Sequence, residues 1–151
     1  MYRAVSRVLG WLGRERFEIG RQGEVYLTRW TLVGKRGEGN WRVFLHYFHR
    51  SDYDEALHDH PWPFWSLVIW PGYYEVTPGE WCDKWTWIGP MTLIRRRATW
   101  RHRVELSRKE YCWSVVWAGK KERSWGFWCP KGWIPWQELE DRSARGESGC
   151  G

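Results

Sequence analysis

Between residues 24 and 129 apolar and polar side chains alternate with a period close to two, in short runs separated by Gly, Pro, Asn and Asp. That period marks strands with one buried face, and the separators mark turns. The pattern predicts strands near Glu24–Val33, Trp41–His49, Trp62–Val76, Trp81–Ile88, Met91–Arg97, Arg101–Leu106, Tyr111–Ala118 and Ser124–Cys129. Short strands in series with no helix between them imply an antiparallel sandwich or barrel. Gly37-Glu38-Gly39-Asn40 and Thr77-Pro78-Gly79-Glu80 read as hairpin loops, and Gly89-Pro90 breaks the next pair. Residues 1–12 read as a short amphipathic helix and not as a signal peptide, because Gly10 and Gly13 interrupt the apolar stretch and no small-residue cleavage site follows. A second short helix opens at Pro135-Trp136-Gln137-Glu138-Leu139-Glu140, with proline early, where its missing N–H costs nothing. The expected division is an N-terminal extension over 1–20, one barrel domain over 21–141, and a flexible tail over 142–151.

Sixteen of the 151 residues are tryptophan, which excludes low-complexity disorder, since such chains lack the aromatic surface to offset chain entropy. No run approaches the roughly 20 apolar residues of a membrane span. Pairs such as Trp85/Trp87 and Trp113/Trp117 fall on one strand face each, so most tryptophans are expected to form the wall and plug of a small barrel. The net charge of +6 serves solubility, and the arginines can stack on indole faces; nucleic-acid binding is the lesser reading. Cys82, Cys112, Cys129 and Cys150 match no metal or redox spacing, which favours a reducing compartment, the cytoplasm.

The candidate chemistry lies with five histidines. In Leu57-His58-Asp59-His60-Pro61-Trp62, two stand at i and i+2, which on an extended strand puts both imidazoles on one face, as a sheet presents two nitrogen ligands to one metal. The same alternation sends Phe64, Ser66 and Val68 to that face and Asp59 away from it, into a structural role. In Arg101-His102-Arg103-Val104-Glu105-Leu106, His102 points inward with Val104 and Leu106; a metal or a buried hydrogen-bond partner would account for it. His46 shares a face with Phe44 and Phe48, opposite His49, and is a candidate acid/base or substrate-facing group. Asp52, Asp54 and Glu55 read as a solvated acidic turn. In Arg95-Arg96-Arg97 either Arg96 or its two neighbours can look into a barrel.

The runs LHDHPWPFWSLVIWPGYYE, RRRATWRHRVEL and KKERSWGFWCPKGWIPW resemble uncharacterised cupin-like proteins of phages and bacteria, over roughly residues 24–140. His58-x-His60, Gly72-Tyr73-Tyr74-Glu75, and Gly89-Pro90 leading to His102 look like the two halves of a cupin motif pair. The resemblance implies an all-β double-stranded β-helix, a jelly-roll barrel with short helical segments at its ends, holding one divalent metal on His58, His60 and His102. It departs from the broader pattern at the glutamate that follows the second histidine, since positions 64 and 65 are Phe64 and Trp65. Glu75 is expected to hydrogen-bond or pair with an arginine instead.

Three neutral imidazoles leave an ion's charge uncompensated and coordination positions open. Three-histidine cupins include thiol dioxygenases, so iron(II) is favoured, with zinc, nickel, manganese or copper also compatible with imidazole. The expected activity is that of a small dioxygenase-like metalloenzyme on a small polar or anionic substrate. His46 and Tyr47 are the candidate catalytic groups, and Trp62, Phe64, Ser66, Arg97, Cys112 and Trp117 the candidate substrate pocket. The alternatives are a non-catalytic sugar- or nucleotide-binding module with a Trp-lined barrel, and a metal-dependent isomerase or epimerase. The expected partner is a small molecule, without a membrane, and with a homodimer open.

Overall fold

The computed structural model describes residues 1–21, 24–34, 41–52, 56–108, 110–147 and 150. Helix α1 (Tyr2–Trp11) precedes β1 (Arg16–Arg21), β2 (Glu24–Val33), β3 (Arg42–Phe48), β4 (Leu57–His58), β5 (Phe64–Trp70) and β6 (Tyr73–Thr77). Then come β7 (Lys84–Ile88), β8 (Leu93–Arg96), β9 (Arg103–Leu106), β10 (Cys112–Ala118), β11 (Gly126–Cys129), β12 (Gly132–Pro135) and helix α2 (Trp136–Ala144). One sheet has the order β1-β2-β3-β10-β5-β8. Two three-stranded sheets, β7-β6-β9 and β12-β11-β4, face it as the second layer. They meet where His58 and His102 lie opposite each other and exchange both backbone hydrogen bonds, at 2.8 and 3.0 Å. The result is the expected all-β jelly roll with two short helices, and its second layer is stitched together at two candidate ligands.

The run expected as one strand from Trp62 to Val76 is two strands in different layers. Pro71 has no N–H for the ladder, and Gly72 has φ +116°, with a Cβ there only 2.7 Å from the Ile88 carbonyl oxygen. The chain therefore leaves the large sheet after Trp70 and enters the other layer at Tyr73. Strands β1, β4 and β12 have no counterpart in the expected set, and the turn expected at Gly37–Asn40 lies outside the described residues.

The interior holds two apolar clusters. Leu27, Phe48, Val68, Tyr73, Ile88, Ile94, Val104 and Cys112 form one. Phe44, Phe64, Val116 and Ala118, with Trp62 against them, form the other. Three strands pass from one cluster to the other through a buried polar residue: Phe44–His46–Phe48 on β3, Val116–Ser114–Cys112 on β10, and Phe64–Ser66–Val68 on β5. A polar layer thus crosses the barrel, and burying it is costly unless it has partners.

On the outer face of the large sheet, Trp30 and Trp113 are buried and stacked at 5.9 Å, with Tyr2 of α1 against both and against Tyr47. Among the described residues these two are the only buried tryptophans; Trp11, Trp41, Trp65, Trp70, Trp81, Trp85, Trp87 and Trp100 are exposed. The expectation that most tryptophans line or plug the barrel is therefore corrected. Aliphatic side chains with Phe44, Phe48 and Phe64 make up most of the interior, and several indoles instead stack against guanidiniums, as with Arg101 over Trp128 at 3.5 Å and Arg96 over Trp100 at 4.6 Å. Cys129 and Cys150 form a disulfide that their spacing did not announce, a bond that runs against a reducing compartment. Among the described residues no helix is long and apolar enough to cross a membrane.

Candidate metal centre

His58 and His102 take their places from an isolated backbone bridge between β4 and the residue just before β9. Pro61 and Pro63 withhold N–H groups from the ladder, so β4 stops after two residues and the next turn carries His60 alongside, its amide bonded to the Ala98 carbonyl at 3.0 Å. The ring centroids of the three imidazoles are 4.9 to 5.2 Å apart. One donor atom from each lies within 4.8 Å of the others, and the Nε2 atoms of His60 and His102 are 2.8 Å apart.

Carboxylates stand behind two of these rings. Glu75, 2% exposed, accepts from His102 Nδ1 at 2.8 Å, from Arg96 Nε at 2.9 Å and Nη2 at 2.5 Å, and from Trp100 Nε1 at 3.1 Å. Burial pushes its carboxyl up, but the bonds and charges of His102 and Arg96 more than reverse this and hold it at about 2. An ionised carboxylate only accepts, so His102 carries its proton on Nδ1 and keeps the Nε2 lone pair for the centre. Asp52 Oδ2 lies 3.6 Å from His58 Nδ1 and accepts from the Val104 amide at 2.7 Å. Burial, then the neighbouring His102, lowers the pKa of His58 and His60 well below the ordinary histidine value, so both stay neutral at pH 7.

Three imidazoles that converge on one point, with Glu75 fixing the tautomer of His102, are the donor set of a divalent transition-metal site. The residues fit the ion. In its absence the 2.8 Å contact between His60 and His102 needs a proton on one nitrogen, and an ion there displaces that proton.

His46 lies in the polar layer. Arg29, its register partner on β2, donates from Nε to His46 Nε2 at 3.1 Å, so His46 holds its own proton on Nδ1. Burial and the Arg29 charge keep it neutral. The Arg29 guanidinium also lies 4.7 Å from the Phe44 ring centroid, and that of Arg42 lies 5.2 Å from the same ring and 4.6 Å from Trp62.

Phe64 stands 4.7 Å from His60, and Trp62 and Ser66 share its end of the barrel. The other pocket candidates lie apart. Tyr47 and Trp117 alternate with inward residues and face outward, Tyr47 packing on Tyr2, His49 and Trp113. Arg97 is exposed, and Arg96 is the arginine of that run that turns to the site. Cys112 is sealed in the larger apolar cluster, where burial raises its thiol to about 11. Asp52, expected in a solvated turn, is a part-buried contact of His58 instead; Asp54 and Glu55 lie outside the described residues. Arg29 carried no signal, since one arginine in a strand reads as surface until its partner strand is known. Asp59 does point away, and its buried carboxylate takes bonds from Arg123, Trp128, Trp133 and the Gly126 amide.

The fold and the cluster define the class: a cupin-type barrel with a three-histidine metal-site candidate. A cupin-2 domain protein from Rhodospirillum rubrum superposes on 93% of this chain and 91% of its own, with a TM-score of 0.60 and 12% identity. A cupin-2 conserved barrel protein from Rhodopseudomonas palustris gives 0.59 and 11%, over 89% of this chain and 90% of its own. Hydroxypropylphosphonic acid epoxidase from S. wedmorenis gives 0.55 and 9% over 70% of this chain. This chain spans 55% of the epoxidase's length, and iron(II) forms of that enzyme superpose as well, at 0.57. Identities of this size speak for the fold alone. No family model and no curated protein sequence matches the chain.

Proposed function

We propose that this protein is a mononuclear metalloenzyme of dioxygenase-like chemistry that acts on a small polar or anionic molecule. The observation that carries the reading is the convergence of His58, His60 and His102 with ionised Glu75 behind His102. Iron(II) is the favoured metal; when bound, it supplies open positions for a substrate oxygen or thiolate and for dioxygen. His58, His60 and His102 would hold it, and Glu75 sets the orientation of the His102 ring. His46, neutral and protonated on Nδ1, is a hydrogen-bond donor within the polar layer, able to stabilise a developing oxyanion through that N–H. Phe64 and Trp62 exclude water from the side of His60. Kinship with uncharacterised phage and bacterial cupin-like proteins belongs to the same proposal.

Metal analysis of the purified protein tests this directly. One equivalent of iron or another first-row metal is expected, lost in His58→Ala and in His102→Ala. Absence of stoichiometric metal after anaerobic loading with iron(II) refutes the reading. Oxygen consumption with a turned-over substrate then separates an oxygenase from an isomerase or epimerase. A sugar- or nucleotide-binding module with a Trp-lined barrel draws no support from the interior, whose rings are mainly phenylalanines.

A further inference from the structure

We propose that Trp125 and Phe127 form a ring-binding wall beside the three-histidine centre, which holds a planar aromatic or conjugated group of the substrate while a polar end of the same molecule reaches the metal. This rests on the metal-centre reading and adds to it the shape and polarity of the substrate's far end.

Register places the wall. Phe127 lies opposite His58 in the β4–β11 pairing, with the ring centroids 6.1 Å apart, so Phe127 shares the inward face of this small sheet with the ligand. Ile134 pairs with Phe127 and joins that face. Trp125 stands two residues before Phe127, 5.7 Å from its ring and 6.4 Å from that of His58. Its carbonyl accepts the Trp136 amide at 3.2 Å, which carries the pairing past the strand ends. Trp128 and Trp133, on the opposite face, donate to Asp59 instead.

Exposure is the second argument. Inward residues of β3, β5, β6 and β10 such as Phe44, Phe64, Tyr73 and Cys112 are buried, whereas Trp125, Phe127, Ile134 and Trp136 are all half-buried and the His58 side chain is 16% exposed. Solvent therefore reaches His58 past this sheet, and a substrate entering by that route passes these rings. The third argument is chemistry. Trp100, Trp128 and Trp133 each give their N–H to a carboxylate and lie against a guanidinium, which explains them as packing. Among the described residues Trp125 has neither partner. It stacks on Trp136, with centroids 5.8 Å apart and planes 10° from parallel, so its plane is set before a ligand arrives and little ordering is left to oppose binding. Trp125, Phe127, Ile134 and Trp136 bring no charged or hydroxyl side chain, so they offer a sugar no hydrogen-bond partner there. To a planar apolar ring they offer the tilted and edge-on contacts that aromatic groups favour, the geometry that Trp125 already has with Phe127 and His58.

Calorimetric titration of the protein loaded with one equivalent of zinc tests the inference with benzohydroxamate and acetohydroxamate. Zinc is redox-silent, so binding is read without turnover. Both probes chelate the ion through the same pair of oxygens and differ only in a phenyl ring against a methyl group. The ratio of their affinities, divided by the same ratio for aqueous zinc, therefore reads the wall and cancels changes at the metal. Wild type is expected to favour benzohydroxamate about tenfold or more; Trp125→Leu and Phe127→Leu are each expected to lower the ratio about threefold or more, and Trp125→Phe to keep most of it. In proton–nitrogen correlation spectra the indole N–H signal of Trp125, assigned by its absence in Trp125→Phe, is expected to shift with benzohydroxamate and not with acetohydroxamate. A ring that served only to anchor α2 would not respond in that way. Near-UV circular dichroism reports folding; if Trp125→Leu does not fold, Phe127→Leu and the indole signal decide. A wild-type ratio near unity, the same ratio in wild type and the folded variants, or failure of the zinc form to bind benzohydroxamate overturns the proposal and leaves the metal centre standing. Failure of zinc itself to bind overturns the metal-centre reading and this inference together.

Discussion

Glu75→Gln removes one charge and almost no volume from the most heavily bonded carboxylate beside the centre. In the wild type Oε1 accepts from His102, Trp100 and Arg96, and Oε2 accepts from Arg96 Nη2. An amide has one acceptor oxygen, so its nitrogen must face a donor on one side or the other. The side chain of Arg96 is 17% exposed and cannot recover full hydration. The fall of the Glu75 carboxyl from 4.5 to about 2 converts, at about 1.4 kcal/mol per pH unit, into a folded-state preference for the charged form near 3 kcal/mol. That agrees with the roughly 3–5 kcal/mol lost when one partner of a buried ion pair is removed. Urea unfolding at pH 7 is therefore expected to show Glu75→Gln less stable by about 3 kcal/mol. Because the folded pKa lies below the unfolded one, the wild-type advantage is full above pH 4.5 and shrinks as the pH falls toward 2. Metal affinity, read by chelator competition, is expected to drop about 10- to 100-fold, since His102 loses the acceptor that holds its tautomer. A loss under about 1 kcal/mol at pH 7, with metal affinity unchanged, would refute the assignment of Glu75 as the positioning residue of His102.

Three further outcomes follow from the same contacts. Burial holds His46, His58 and His60 neutral, below the unfolded value near 6.5, so stability of the metal-free protein is full above that pH and declines as pH falls, by up to about 1.4 kcal/mol per pH unit for each; a flat profile of urea midpoints between pH 7 and 5 contradicts this. Asp59→Ala is expected to cost about 3 kcal/mol and to remove hydrogen-exchange protection at the Gly126 amide, because it strands Arg123, Trp128, Trp133 and that amide without their acceptor; retained protection at Gly126 would show that another acceptor takes over. Trp30→Ala, at a position 1% exposed between Tyr2 and Trp113, is expected to cost about 3–5 kcal/mol in thermal or chemical unfolding without changing metal affinity.

What the sequence made legible was local and periodic. His58 and His60 are readable as a pair because a period of two is a property of neighbouring residues, and the inward set Phe64, Ser66 and Val68 follows from the same rule. His102 is readable as an odd polar residue on an apolar face, though Glu75, its partner, is 27 residues away and is fixed only once β6 and β9 pair. Asp52 shows the limit more sharply. Next to Asp54 and Glu55 it looks like part of an acidic turn, and only the approach of β9 gives it the Val104 amide and His58 to hold. Two-residue β4 is too short for any period, and β1 and β12 are defined by the strands they join. The tryptophans misled because strand alternation says which rings share a face and not which face is inside.

Asp59 stands between the two clustered ligands in the chain, yet its side chain belongs to the C-terminal hairpin. The spacing of His58 and His60 is therefore clamped by residues more than sixty positions downstream, none of which touches the histidine donor atoms through that clamp. The last quarter of the sequence works as a splint for the ligand loop. A proteolytic cut after Glu122 would take away the partner strand of β4 and every one of these partners of Asp59 together, and with them the support of the histidine loop.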